Sequence, residues 1–289
     1  MYKIAIIVPY FGKLPDSFSG WWASALFNTT IDFWMFTDNE SIQSEENIKV
    51  EHLSFDKFRE YLQSIFDFSI ACGDPYKLCD YKPVYGEVFA ERLKDYDWWG
   101  YCDIDLILGN VRKFITDDIL DMYEKIFVSA HISIFKNCQR MNSLFRNLGD
   151  YPEYNYLEAY KTNDACYFDE FRGMELKCIR NGIKVYNDTN ICFDVSPANP
   201  QFVVNEIRNI AVWDKGQLVT YSENGTSKEI MYIHIQKRKM NLKNKSTKAI
   251  ERMEIVPGLI ICNKITNMCD LFNCSSGGAD IPSCGNLAA

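Results

Sequence analysis

The chain opens with an unbroken apolar run, Lys3 to Val8, closed by Pro9, Tyr10, Phe11 and Gly12. A run of that length bounded by turn residues predicts a buried strand. Ser19 to Phe27 predicts a helix capped by Ser19, and Ile31 to Phe36 a second apolar strand closed by Thr37, Asp38 and Asn39. Lys49 to Leu53 is a third, short strand. Ser54 caps an amphipathic helix to about Phe66, with Phe55, Phe58, Leu62 and Ile65 on one face. Pro83 suits the first turn of a helix over Val84 to Leu93. Asp97 to Cys102 is the next strand, and two aspartates, Asp103 and Asp105, follow it at once.

The second half is more mixed. Phe127 to Phe135 reads as a strand or strand pair broken at His131. Helices are expected from Asn137 to Leu148 and from Phe168 to Asn181, the latter stopped by Gly182. "SENGTS" predicts a hairpin turn. "IMYIHIQ", Ile230 to Gln236, alternates with period two and sets Tyr232, His234 and Gln236 on one face.

Strands alternating with helices predict an α/β domain with a mostly parallel sheet. Ligands bind such sheets beyond the C-terminal strand ends. Pro9-Tyr10, Thr37-Asp38 and Asp103-x-Asp105 all fall there.

Composition narrows the picture. The 289 residues are 47% hydrophobic, enough for a large core, and contain no membrane-length apolar run. The N-terminal apolar run is too short for a signal peptide, so a cytoplasmic protein with reduced cysteines is expected. The net charge of −8 argues against general nucleic-acid binding. Basic residues gather locally in "QKRKMNLKNKSTK", Gln236 to Lys248, which suits a compact anion such as a diphosphate, or is a solvated loop.

Two carboxylates one residue apart make a hard-cation site for Mg²⁺ or Mn²⁺ that leaves positions for phosphate oxygens. An EF-hand loop from Asp103 fails, because Ile107 and Phe114 fall at ligand positions. A haloacid-dehalogenase-type phosphotransferase would carry its Asp-x-Asp after the first strand. A metal-dependent glycosyltransferase carries it after an internal strand. Two ordinary surface aspartates are the remaining alternative.

The segment "CDYKPVYGEVFAERLKDYDWWGYCDIDLILGN" resembles bacterial capsule and O-antigen glycosyltransferases of the GT-A fold, through Lys82-Pro83, Tyr85-Gly86, Trp99-Gly100, Asp103, Asp105 and Gly109. "SAHISIFKN", "YFDEFRGM" and "YIHIQKRKM" resemble later blocks in the same order. The resemblance implies a GT-A-like domain over 1–240, with a mostly parallel sheet flanked by helices and a mixed acceptor-side half. A C-terminal extension, partly loosely ordered, would follow over 241–289.

It also implies roles. Asp105, Asp103 and His234 would hold Mn²⁺ or Mg²⁺. Lys237 and Lys239 would meet the diphosphate. Pro9, Tyr10, Asp38, Lys82 and Asp103 would surround the nucleotide of a sugar donor, UDP-hexose by expectation. His131 would bind the acceptor, a saccharide or lipid-linked precursor of a surface polysaccharide, at the inner face of the membrane. Asp169 or Glu170 would serve as the base of an inverting reaction. A non-catalytic nucleotide-sugar or carbohydrate-binding protein and a metal-dependent phosphohydrolase are the competing readings.

Overall fold

Both faces of β1 (Ile4–Pro9) are buried. Ile4, Ile6 and Val8 enter one core, with Trp21, Phe33 and Met35. Ala5 and Ile7 enter the other, with Phe36, Phe58, Trp99 and Tyr101. That double burial is why the segment is apolar throughout rather than alternating.

The computed structural model describes residues 1–128, 131–147, 155–195, 202–236, 239–243 and 249–274. After β1 come β2 (Ile31–Thr37), β3 (Ile48–His52), β4 (Trp98–Cys102), β5 (Leu106–Leu108), β6 (Lys125–Ile126), β7 (Ile132–Lys136) and β8 (Val185–Tyr186). Then follow β9 (Cys192–Asp194), β10 (Val203–Val204), β11 (Ile207–Asp214), β12 (Gln217–Ser222) and β13 (Ser227–Glu229). The last are β14 (Tyr232–His234), β15 (Asn241–Lys243), β16 (Arg252–Val256) and β17 (Leu259–Cys262).

The first sheet runs β3-β2-β1-β4-β7-β6-β8. Its pairs from β3 to β4 are parallel, β7 is antiparallel to both β4 and β6, and β8 returns parallel to β6. The expected α/β architecture with a mostly parallel sheet is what the chain adopts. Gly100 lets β4 and β7 approach, since a Cβ there would lie 2.3 Å from the Ser133 carbonyl oxygen.

A second sheet, β13-β12-β11-β16-β17-β15, contains the chain on both sides of residue 240, and "SENGTS" makes its β12–β13 turn. A third, three-stranded sheet orders β5-β14-β9. No helix among the described residues is long and apolar enough to cross a membrane. The tail over 275–289 lies outside the described residues.

Several helices are shifted, shortened or split relative to their patterns. The first spans Phe18–Leu26, so Ser19 lies inside it and Ser17 stands at the cap without a capping hydrogen bond. Ser54 does cap Phe55–Gln63, but the helix ends there; the Gln63 side chain instead holds the following loop through Phe68 O (2.8 Å) and Ile70 N (3.0 Å). The expected helix over Val84 to Leu93 splits into Tyr85–Val88 and Ala90–Leu93. Phe89 leaves helical geometry between them, and its ring stacks on Phe36 at 4.7 Å. Of the helix expected over Asn137 to Leu148, the described residues form only Gln139–Asn142 and a 3₁₀ turn, Leu144–Arg146, and Leu148 lies outside them. Asn137 is not a cap there; its amide donates to Leu93 O and Tyr96 O.

Candidate active site

The C-terminal ends of β1, β2 and β4 share one edge of the first sheet, and the N-terminal end of antiparallel β7 meets them there. Asp103 and Asp105 occupy the turn in which the chain leaves β4 and enters β5. Asp103 N donates to His131 O at 2.9 Å, and Ile235 N donates to Asp105 O at 2.9 Å. The aspartate turn is thus pinned by the two segments that carry the site's histidines. Beyond it, the buried Asn28 amide accepts from Val111 N and donates to Gly109 O, both at 2.9 Å.

The two carboxylates have different partners. Asp103 Oδ1 takes an ion pair from Lys82 Nζ at 2.8 Å. Asp105 Oδ2 lies 3.6 Å from His234 Nε2. β14 sits between β5 and β9, and its register sets His234 beside Leu106 on one side and Asp194 on the other. His234 Nδ1 is 2.8 Å from Asp194 Oδ1. The His131 ring lies against the His234 ring, centroids 3.6 Å apart, and its Nδ1 is 3.5 Å from the Tyr232 hydroxyl.

Burial alone would lower the His234 pKa, but hydrogen bonds to Asp105 and Asp194 outweigh it and lift the group to about 9. Burial, then the charge on His234, pushes His131 down. Burial would raise Asp194, and the His234 hydrogen bond overcomes it and lowers the group. In this arrangement a proton on His234 supplies the positive charge that two carboxylates demand.

A divalent cation fits the same demand. Two donors about 2.1 Å from one ion stand about 3.0–3.4 Å apart in octahedral or tetrahedral geometry, close to the 3.6 Å between Asp105 Oδ2 and His234 Nε2. Donor atoms of His131, Asp194 and His234 also lie within 4.8 Å of one another. The mixed nitrogen and oxygen set suits Mn²⁺ better than Mg²⁺.

Lys82 joins this cluster to a second one. Its Nζ lies 3.6 Å from Asp169 Oδ2 and 5.3 Å from the Tyr101 ring centroid. Burial would lower the Lys82 pKa, but Asp103 and Asp169 hold it well above the usual lysine value. Asp169 is 1% exposed, and its Oδ2 has no hydrogen bond among the described residues. Burial pushes its carboxyl up to about 7 against the opposing charge of Lys82. Glu170, half-buried, is also raised by burial.

These two acids do not begin a helix, as the sequence pattern predicts. They lie in a turn, and the helix is only Met174–Arg180. A buried ion pair fixes the turn. Lys77 Nζ binds Asp80 Oδ2 (2.7 Å), Ala159 O (2.8 Å) and Asp164 O (2.6 Å). Asp80 in turn accepts from Cys166 N and Phe168 N, both at 2.8 Å. The flanking Tyr167 and Phe171 rings are 42% and 52% exposed and stack at 6.0 Å, with Arg172 over both.

On the nucleotide side, Pro9 ends β1 and Tyr10 N donates to Phe36 O at 2.8 Å. Asp38 is exposed, and its Oδ1 accepts from Gly12 N at 2.9 Å. Burial, and then the charge on Asp105, raises the Tyr10 hydroxyl. Lys239 is exposed, and Lys237 lies outside the described residues. The sequence pattern sets Gln236 on the His234 face without giving it a role, and it leaves Asp194 out altogether. The one signal for Asp194 is an acid closing a short apolar triplet, Ile191 to Phe193, as Asp103 closes β4.

No curated protein matches the chain. Among solved structures, it is similar to the galactosyltransferase LgtC in complex with donor and acceptor sugar analogs (12% identity, 70% of this chain and 79% of that one, TM-score 0.38). Mouse xyloside xylosyltransferase 1 overlaps at 8% identity, 68% and 88% coverage and TM-score 0.43. A glycosyltransferase involved in glycosylation of the major capsid of PBCV-1 overlaps at 10% identity, 81% and 92% coverage and TM-score 0.39. The chain belongs to DUF6625, a family of unknown function, which it matches over residues 6–264.

Proposed function

We propose that this protein is a metal-dependent glycosyltransferase that moves a hexose from a nucleotide sugar, UDP-linked, to a saccharide or lipid-linked acceptor of a surface polysaccharide. The observation that carries the reading is the facing of Asp105 and His234 at 3.6 Å, with Asp105 acting electrostatically on Tyr10 and Asp38 holding the turn after Tyr10 through Gly12 N. A bound divalent cation would supply positive charge to the diphosphate as it departs.

The chain's own residues do the rest. Tyr10 and Asp38 border a nucleoside site at the strand ends. Lys239, exposed, and Lys237, which follows β14 in the sequence, would meet the diphosphate. Lys82 is committed to Asp103 and Asp169 and holds the aspartate turn against the acidic turn. An acceptor hydroxyl oxygen attacks the anomeric carbon, and the electron pair of the broken C–O bond leaves with the diphosphate. The hydroxyl proton passes to the acidic pair, with Glu170 the more open of the two and Asp169 beside it at a pKa near neutrality. His131 and the exposed aromatics at 167 and 171 border the acceptor side.

The test is incubation of the protein with Mn²⁺, a panel of UDP-hexoses and oligosaccharide acceptors, followed by mass spectrometry. A hexose-sized gain on an acceptor supports transfer. Donor binding with no transfer and no hydrolysis would favour a carbohydrate-binding role. Cleavage of simple phosphate esters would favour a phosphohydrolase.

A further inference from the structure

His234 presents two ring nitrogens to two carboxylates, and only one nitrogen can serve a cation shared with Asp105. Nε2 faces Asp105, 3.6 Å away. Nδ1 is taken by Asp194 Oδ1 at 2.8 Å. The two nitrogens point away from each other, so an ion between Nε2 and Asp105 lies on the far side of the ring from Asp194 Oδ1. Asp194 is therefore placed to accept the Nδ1 proton. A histidine ligand oriented in this way by a carboxylate keeps its Nε2 lone pair on the metal side.

The carboxylate is itself held. The Asp194 backbone is paired with His234 through the parallel β9–β14 register. Val195 N donates to His234 O at 3.1 Å. Gln236 Nε2 donates to Asp194 Oδ2 at 3.4 Å, so one side chain contacts each carboxylate oxygen. Gln236 adopts φ 52°, in the left-handed region that costs a non-glycine residue energy. That backbone conformation comes two residues past the end of β14, where the side chain reaches Asp194.

We infer that Asp194, steadied by Gln236, is a positioning residue that fixes the His234 ring so that Nε2 is offered to a divalent cation shared with Asp105. The inference rests on the metal-dependent reading proposed above.

Calorimetric titration of the full chain with Mn²⁺ alone tests it, with thermal unfolding of each variant measured alongside. Wild type binds Mn²⁺, and Asp105→Asn loses it. Asp194→Ala weakens binding by about 10- to 100-fold, the usual effect of removing such a partner. Asp194→Asn recovers much of the loss, because its amide oxygen still accepts from Nδ1. A purely structural role would not distinguish Asn from Ala at equal thermal stability. Gln236→Ala gives a smaller loss and serves if Asp194→Ala does not fold. Equal Mn²⁺ affinity in wild type and Asp194→Ala, with Asp105→Asn still defective, overturns the inference alone. So does an Asp194→Asn protein as weak as Asp194→Ala. Failure of wild type to bind Mn²⁺ overturns the metal reading and the inference with it.

Discussion

Lys82 and Asp103 form an ion pair at 2.8 Å, which gives the first carboxylate of the Asp-x-Asp pair a partner of its own. The same ammonium stands 3.6 Å from buried Asp169, so one cation ties the β4 end to the acidic turn. Replacing it leaves two carboxylates without their counter-charge. Lys82→Met is expected to cost about 3 kcal/mol of stability, the low end for breaking a buried pair because Asp103 is partly exposed. With Lys82 gone, Asp169 moves further above its unfolded pKa. A carboxyl with a raised folded pKa loses stability as pH rises through that window. The deficit relative to wild type should therefore be larger at pH 8 than at pH 6. Urea unfolding at the two pH values measures it, and a pH-independent deficit would deny the electrostatic role.

Lys125 is a buried lysine outside this cluster. It is 1% exposed, bonds the Phe127 carbonyl and Ser133 Oγ, and is lowered by burial to about 8. The unfolded chain then binds more protons than the folded one between about pH 8 and the ordinary lysine value near 10.4. Its penalty is full below pH 8 and fades as pH rises through that window. Lys125→Met removes the penalty, so the stability difference between variant and wild type should shift in favour of wild type from pH 7 to pH 10, by up to about 3 kcal/mol. Unfolding midpoints at both pH values check the sign.

The acidic turn makes a kinetic prediction. Glu170→Gln should lower turnover by about 10²–10⁴-fold, as expected for removal of a general base, at unchanged donor affinity. Asp169→Asn should also lower it and should displace the acid limb of kcat/KM from near pH 7. Product NMR should show the anomeric configuration inverted. Retained configuration with near-normal turnover in both variants would leave the pair as a structural charge cluster.

The exposed stack of Tyr167 and Phe171 predicts an acceptor effect. Removing either ring by alanine should raise acceptor KM about tenfold, equivalent to about 1.4 kcal/mol, with nucleotide affinity unchanged. Initial-rate kinetics with each substrate varied in turn separates the two terms.

What the sequence discloses depends on how local its cause is. The doubly buried β1 is legible because burial on both faces leaves a continuous apolar run. The position of Asp105 just past the fully buried β4 run is legible for the same reason. Asp194 is not, because β5, β9 and β14 are three-residue strands whose pairing joins distant segments. Triplets that short carry no usable period. The acidic turn is hidden differently. Its pattern is helical, but Asp80 captures the Cys166 and Phe168 amides and holds the chain in a turn until Met174. The divergent partners of Asp103 and Asp105 likewise follow from a turn between β4 and β5, where an extended chain would set both on one side.

The central claim is that Asp105 and His234 share a divalent cation that carries a nucleotide diphosphate. Calorimetry of UDP binding, with Mn²⁺ and then with chelator in its place, tests it most directly. The account predicts clear binding with Mn²⁺, a large loss with chelator, and the same loss with Mn²⁺ present in Asp105→Asn and, less severely, in His234→Ala. Equal UDP affinity with and without metal, unchanged in both variants, would contradict it.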